Sequence, residues 1–431
     1  MKKYDFAISY EIIKREYDSV VLLKKELEHR GYSVCIFQAS ALTKKMKAGV
    51  VVLHSFYSDD NFPFVYYVFG KHQKIFNLRW EEVFIPDLIR DPVDHACDVM
   101  HVAWGKQEYL NLLKAGVSQN NIALTGEISL DFLKKYSYLC RNELASKYNL
   151  NPEKKWVLFI SSFTFGIEDE NGMLKYEHAE ELRNKGPLGT IINTCLSNRP
   201  ILLDWFENLV SCRNDIEFIY RPHPEEDGDV RIRTIENRKS NFHVIGDMDV
   251  AQWIAVSDKV YNWWSTSAIQ VYLLGKGLKL LRPLPIPYGI EYEMFSKMDF
   301  ITDKESFLND IDKEETIRKN DELESYYLID DNYAFKRTAD YLEELLKDNK
   351  RHNVIDYNTI LRQFGMVRCL RNRLFRNFFV DMSLLFENNK VLSKVFKLSY
   401  RPAEKKNILT DEIKDKAEAK VDLFLSELEK E

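Results

Sequence analysis

The sequence predicts an α/β protein with two parallel-sheet halves in succession and a helical extension behind them. Three observations predict it. Short apolar strands alternate with amphipathic helices over residues 5–126, and parallel strands need such helical crossovers to return the chain. The alternation starts again at Trp156, after the polar hinge Asn151-Pro152-Glu153-Lys154-Lys155. Past residue 330, strand-forming sequence gives way to charged, helix-forming sequence. The expected organisation is a first domain over 1–150, a second over 151–330, a crossover helix in 331–350 and a helical extension over 351–431.

Length and composition set the outer limits. A chain of 431 residues exceeds one ordinary core. Its formal net charge of −6 gives no global reason to expect nucleic acid. No stretch is long and apolar enough to span a bilayer, and Met1-Lys2-Lys3-Tyr4-Asp5 leads straight into a strand rather than a signal-peptide core. The six cysteines (Cys35, Cys97, Cys140, Cys195, Cys212, Cys369) show no paired spacing. They read as buried thiols in a reducing cytoplasm, not as disulfides or zinc ligands.

In the first half, 5–9 reads as a strand and 10–17 as a polar loop. A helix follows with Val20, Val21, Leu22 and Leu27 on its apolar face, stopping near Gly31. Residues 32–37, 49–54 and 74–78 read as further strands, with Ser58-Asp59-Asp60-Asn61-Phe62-Pro63 capping a helix between the last two. A strand over 97–103, a helix over 105–115 closed by Gly116, and a short strand over 122–126 complete this half. Neither a G-x-G-x-x-G nor a Walker fingerprint occurs.

A polar helix over 136–151 leads into the hinge, and the second half opens with a strand over 156–160 that ends in Ser161-Ser162-Phe163-Thr164. Residues 166–187 are charged and aperiodic, as in an insertion or mobile loop. The pattern resumes with helix 201–212, strands 216–220 and 242–245, helix 250–255, strand 259–262, helix 268–274 and strand 278–281. Two such halves place a ligand cleft at the carboxyl ends of their strands, where they face each other.

The chemistry concentrates in 216–281. Phe218-Ile219-Tyr220-Arg221-Pro222-His223-Pro224-Glu225-Glu226 reads as a buried strand running into a turn, with prolines on both sides of the histidine restricting its backbone. Trp263-Trp264-Ser265-Thr266-Ser267-Ala268 reads as a strand end, a hydroxyl cluster and a helix start. Hydroxyls and free backbone N–H groups there suit a phosphate oxygen, with Arg221 and His223 as countercharge. Each element alone is an ordinary turn or N-cap; their order in one alternating region favours a phosphate site. Asp247-Met248-Asp249 spells D-x-D but sits between a strand and a helix, so it reads as an N-cap and no metal is expected.

Beyond Pro283-Leu284-Pro285-Ile286-Pro287 the chain is expected to be helical and acidic over 299–348, with 332–346 as the helix that returns to the first domain. Residues 362–401 hold nine basic residues against Asp381 and Glu387, interleaved with Phe364, Phe375, Phe378, Phe379 and Phe386. That suits an anionic membrane surface, and equally a helix packed on its own domain with a solvated basic face. The tail over 410–431 reads as a polar helix, either partner-facing or frayed.

Tyr220-Arg221-Pro222-His223-Pro224, Ser265-Thr266-Ser267 and Gly275-Lys276-Gly277-Leu278-Lys279-Leu280 resemble the C-terminal half of GT-B glycosyltransferases of bacterial surface-polysaccharide assembly. Within that group the His-Pro and Ser/Thr motifs resemble those of enzymes with cytidine-activated donors: Kdo transferases, polysialyltransferases and, more remotely, teichoic-acid polymerases. The first half is similar more loosely, through Lys14-Arg15-Glu16-Tyr17-Asp18, Asn77-Leu78-Arg79-Trp80-Glu81-Glu82, Ala103-Trp104-Gly105 and Leu124-Thr125-Gly126-Glu127 with Asp131.

The resemblance implies a GT-B-like fold of two Rossmann-like domains, an acceptor-side first domain and a donor-binding second domain. It implies a metal-independent transferase whose substrates are a nucleotide-sugar donor and a glycan or glycolipid acceptor, cytoplasmic and peripheral on the inner membrane face. His223 would contact the donor phosphate, and Arg221 would either clamp it or brace the turn. Ser265, Thr266 and Ser267 would hold the phosphate or the cytidine side, and Ser161 and Ser162 would face the same crevice. The catalytic carboxylate is expected from the first half: Glu81 or Glu82 first, Asp60 next, with Asp59, Glu11 and Glu16 as further strand-end acids. The E-x7-E pair of many retaining GT-B enzymes is absent, since Glu291 and Glu293 have the wrong spacing. The readings left open beside a CMP-activated acidic sugar such as Kdo are a UDP- or GDP-sugar transferase, a polyol-phosphate transferase and a non-catalytic assembly subunit.

Overall fold

The computed structural model describes residues 3–38, 46–79, 84–135, 137–165, 167, 182–223, 226, 229–315, 317, 319–349, 355–363 and 409–430. The chain separates into two compact units: 1–82, 90–135 and 324–431 form one, and 83–89 with 136–323 form the other. The basic stretch over 362–401 lies outside the described residues except at its first two positions.

The first unit is built on β1 (Lys3–Tyr10), α1 (Ile13–His29), β2 (Val34–Gln38), β3 (Lys47–Leu53), α2 (Phe62–Phe69), β4 (Ile75–Asn77), β5 (Met100–Ala103), α3 (Lys106–Lys114), β6 (Ile122–Leu124) and α4 (Ile128–Asp131). Its six strands form one sheet in the order β2-β1-β3-β4-β5-β6, and every pairing is parallel. Central strands of such a sheet are covered on both faces, which is why Phe6–Ile8 and Val50–Val52 are continuous apolar runs with no accessible surface. The expected polar loop over 10–17 is shorter than predicted, because α1 begins at Ile13. Ile13, Tyr17, Val20 and Val21 already follow helical spacing and are buried, beneath the polar Lys14-Arg15 pair.

The second unit follows the same plan with α5 (Arg141–Tyr148), β7 (Lys155–Ile160), α6 (Gly186–Cys212), β8 (Ile216–Arg221), α7 (Val230–Arg238), β9 (Phe242–Val244), α8 (Val250–Val256), β10 (Lys259–Asn262), α9 (Ala268–Leu273), β11 (Leu278–Leu281), β12 (Asp299–Ile301) and α10 (Lys304–Asp310). The sheet order is β12-β11-β10-β7-β8-β9, again parallel throughout. Two expectations are corrected. The helix expected to start at 201 runs unbroken from Gly186 through Pro200. The missing N–H of an internal proline leaves one carbonyl of the preceding turn unpaired within the helix, yet buried neighbours such as Leu202, Leu203 and Phe206 hold it in place. The helical region expected from 299 begins instead with β12, a three-residue edge strand too short to show alternation.

α11 (Asp321–Tyr326) carries the chain back, and α12 (Ala334–Lys347), α13 (Tyr357–Gln363) and α14 (Asp411–Leu428) belong to the first unit. α12 packs on α1, where Arg30 bonds Asp340 at 2.6 Å and Tyr32 donates to Glu343 at 2.6 Å. The tail, read as partner-facing or frayed, is an ordered helix packed on its own unit. Val421 and Phe424 of α14 are buried, Phe424 lies among Phe132, Tyr333 and Phe335, and Lys25 and Lys420 form ion pairs with Asp422 and Asp18 at 2.6 Å. Cys195 is buried, but Cys140 and Cys212 are exposed, against the expectation of buried thiols; the five described cysteines are free. Among the described residues, no helix is long and apolar enough to cross a membrane.

Candidate functional site

The two motifs of the second half meet at one edge of the second sheet. β7 lies between β8 and β10, and the register pairs Ile160 with both Arg221 and Asn262. Everything just beyond those residues therefore stands at the same level, at the carboxyl ends of three adjacent strands. With a strand spacing of roughly 4.8 Å, the ends of β8 and β10 are about 10 Å apart. Phe163 after β7 stacks on Trp263 after β10, with centroids 4.3 Å apart.

His223 is half-buried and its Nδ1 lies 2.9 Å from the Thr164 hydroxyl. That contact sets the imidazole plane and engages one ring nitrogen. Behind it Glu226 N–H donates to the His223 carbonyl at 2.8 Å. The Glu226 carboxyl then points inward, 2% exposed. It accepts from the Ser161 hydroxyl, from Phe163 N–H at 2.8 Å and from the Tyr220 hydroxyl at 3.0 Å. Burial raises its proton affinity, and the Ser161 hydroxyl and the nearby Arg199 charge oppose the rise. This buried knot ties the end of β7 to the end of β8 and so holds Thr164 beside His223.

The knot changes the standing of two expected residues. Ser161 is a support inside it and not an open hydroxyl. Arg221 was expected either to clamp phosphate or to brace the turn, and its fork goes to backbone: Nη1 to the carbonyls of Ile245 (3.4 Å) and Asp247, Nη2 to that of Met248. It braces the loop from β9 to α8, where Met248 takes a positive φ of 64°. In the same loop Asp249 caps α8 by accepting from Ala251 N–H at 3.0 Å, the N-cap role read for the D-x-D stretch. Asp247 accepts from the Tyr148 hydroxyl at 2.6 Å, the first of the interactions that hold its carboxyl at about 2.

At the end of β10, Ser265 accepts from Ser267 N–H at 3.3 Å, Thr266 is exposed and Ser267 is half-buried. Ser267 is already helical in backbone and its side chain makes no cap bond. The helix it precedes is only six residues long, so its dipole is small and the hydroxyls, not the helix, are the useful groups. Around them several buried polar atoms have no hydrogen-bond partner: Ser162 Oγ, Asn262 Oδ1, Trp263 Nε1 and Trp264 Nε1. Buried polar groups are ordinarily paired, each omission costing about 1–3 kcal/mol. Four such atoms lie at this sheet edge, at the ends of β7 and β10. Nothing near Glu226 in the chain marked it as a tie, because burial is not legible locally. The adjacent Trp263 and Trp264 at a strand end were a visible signal that the motif reading passed over.

The expected carboxylates of the first half are dispersed. Glu81 and Glu82 lie outside the described residues. Asp60 is exposed in a short 3-10 turn after β3, next to Asp59, which bonds His95 Nδ1 at 3.0 Å. Glu16 is buried and folds back to accept from Glu11 N–H at 2.6 Å, so it shapes the loop after β1; Glu11 is exposed. Glu127, quoted only as part of a similar stretch, follows β6 and bonds Ser129, and burial pushes its carboxyl up to about 7.

These two parallel six-stranded sheets with a helical C-terminal region make the protein an α/β chain of GT-B-like fold. Its structural similarities lie there too. It resembles a variant of the wall teichoic acid polymerase TagF at 11% identity, covering 79% of this chain and 88% of that one, with a TM-score of 0.51. It resembles S. aureus MnaA in a co-structure with UDP at 14% identity, covering 80% and 97%, with a TM-score of 0.50. No protein-family model and no curated protein matches the chain.

Proposed function

We propose that the chain is a glycosyltransferase that binds a nucleotide-activated sugar at the carboxyl edge of its second sheet. The supporting observation is the set of unpaired donors, Ser162, Trp263 and Trp264, grouped with the Ser265–Ser267 hydroxyls and the Thr164-oriented imidazole of His223. In the transfer an acceptor oxygen bonds the anomeric carbon, the bond to the donor phosphate breaks, and the phosphate leaves with the electron pair. Fixed donors lower that barrier by meeting charge as it develops. The acceptor proton goes to a carboxylate, for which Glu81, Glu82 and Asp60 remain the candidates. Arg221 and Ser161 enter as positioning residues.

For the donor we propose a CMP-activated acidic sugar such as Kdo, on the likeness of the His-Pro and Ser/Thr motifs, with a cell-surface glycan or glycolipid as acceptor. UDP- or CDP-linked donors are the alternative, as the similar MnaA structure holds UDP and a TagF structure was soaked with CDPG. No resident cofactor or metal enters this scheme. The work would be done in the cytoplasm at the inner membrane face, with residues 362–401 as the attachment. Thermal shift with CMP, CDP, UDP and GDP tests the reading. CMP should stabilise most, and His223→Ala should abolish the shift, keep the unliganded melting temperature and lower turnover about 100-fold or more. No shift with any of the four nucleotides, or unchanged turnover in the variant, would refute it; a larger shift with CDP or UDP moves the donor class alone.

A further inference from the structure

Next to the hydroxyl cluster the second unit carries a groove of about 340 Å³ whose lining includes Tyr288, Tyr292, Phe295 and Phe300 with Glu291, Glu293 and Glu322. We propose that this groove binds an uncharged pyranose ring. The volume lies at the lower end of small-molecule sites, the right scale for one or two rings. Tyr288 is 82% exposed and Phe300 43% exposed, so two aromatic faces stand open in one concavity. Such faces suit the C–H side of a sugar ring, as an amphipathic surface suits a ligand that is apolar on one side and wet on the other.

Charge decides against the obvious rival, a cationic ligand. Glu291 is paired with Arg282 at 3.1 Å and Glu322 with Lys297 at 3.6 Å, so much of the acidic character is cancelled within the protein. Arg282 lies behind this wall: it is 5% exposed, and its guanidinium is 5.4 Å from the Phe300 ring centre and 5.9 Å from that of Phe295, so its charge offsets Glu291 from within the protein. The groove therefore presents open aromatic faces and carboxylate acceptors whose charge is largely matched. An uncharged ring with hydroxyl donors and a C–H face suits that lining, whereas a phosphate would face the glutamates.

The groove is also joined to the site above. Tyr292 packs on Trp264, ring centres 5.0 Å apart, and Trp264 is the residue before Ser265. Arg282 follows β11, the strand beside β10. The inference goes beyond the nucleotide reading and stands on the groove alone.

Saturation-transfer NMR on the full chain tests it, with methyl β-D-glucopyranoside and N-acetylglucosamine as probes. Transfer should reach the ring C–H protons and fall at least fivefold in Tyr288→Ala and in Phe300→Ala, both at exposed positions, with melting temperatures kept. No transfer to either probe, equal transfer in both variants, or displacement by choline would overturn the proposal. Repeating the measurement with saturating CMP places the ring. Simultaneous occupancy supports a pyranose site apart from the nucleotide, and mutual exclusion would make the groove part of the nucleotide site and overturn the proposal. Failure of CMP, CDP, UDP and GDP alike to bind would remove the nucleotide reading and leave the pyranoside result intact.

Discussion

At the scale of single residues, the protein separates groups that support from groups left open. Arg221, Ser161 and Glu226 are taken up by internal bonds, whereas Ser162 and the two indoles are not. A local motif cannot show this division, since it depends on which carbonyls and hydroxyls the fold brings within 3 Å. Glu127 gives a titration that follows from such placement. Burial lifts its carboxyl from the ordinary 4.5 to about 7, and Asp131 nearby is lifted to about 6, also by burial. The folded chain thus holds these protons more tightly than the unfolded chain does. Glu127's share of stability is complete below pH 4.5 and is lost as pH rises through 7, on the order of 3 kcal/mol. Thermal melts at pH 5 and pH 8 should show a drop that Glu127→Gln makes shallower; the same drop in both proteins would contradict the assignment.

At the scale of elements, strands and helix stops were legible because they rest on local rules. Gly31, Gly116 and Gly275 follow helices with positive φ, the left-handed turn that ends a helix. The misreadings fell where a local rule was outweighed. Buried packing carries α6 through Pro200, and Lys14 and Arg15 disguised the first turn of α1. Gly105 is another case, needed for space rather than for its torsion. A Cβ there would lie 2.3 Å from the Tyr326 carbonyl carbon, where Leu328 N–H donates to the Trp104 carbonyl at 2.6 Å. Gly105→Ala should push that segment off and destabilise by about 1–3 kcal/mol. Hydrogen exchange at the 326–328 backbone should then quicken, and unchanged protection would show that the close approach is not needed.

At the scale of the whole molecule, the first unit is closed by distant sequence. α12 and α14, more than 300 residues from α1 along the chain, pack against it, and Phe424 sits in an aromatic group with Phe132, Tyr333 and Phe335. Phe424→Ala removes a buried ring, at a cost of about 3–5 kcal/mol when neighbours do not collapse. Exchange protection across 411–428 should fall before that of β1 and β3. Persistence of protection in the variant would mean that the ion pairs of Lys25 and Lys420 hold the helix unaided, which exposed pairs rarely do.

The sequence by itself determined the strand–helix alternation, the two successive sheets, and the histidine and hydroxyl motifs at strand ends, because these rest on side-chain pattern and backbone preference within a few residues. Only the tertiary structure decided that β7 lies between β8 and β10. Parallel strands pair through long crossovers, so no local feature fixes their order. That order sets His223, Thr164 and the Trp263–Ser267 stretch along one edge and leaves their neighbours' polar atoms without partners.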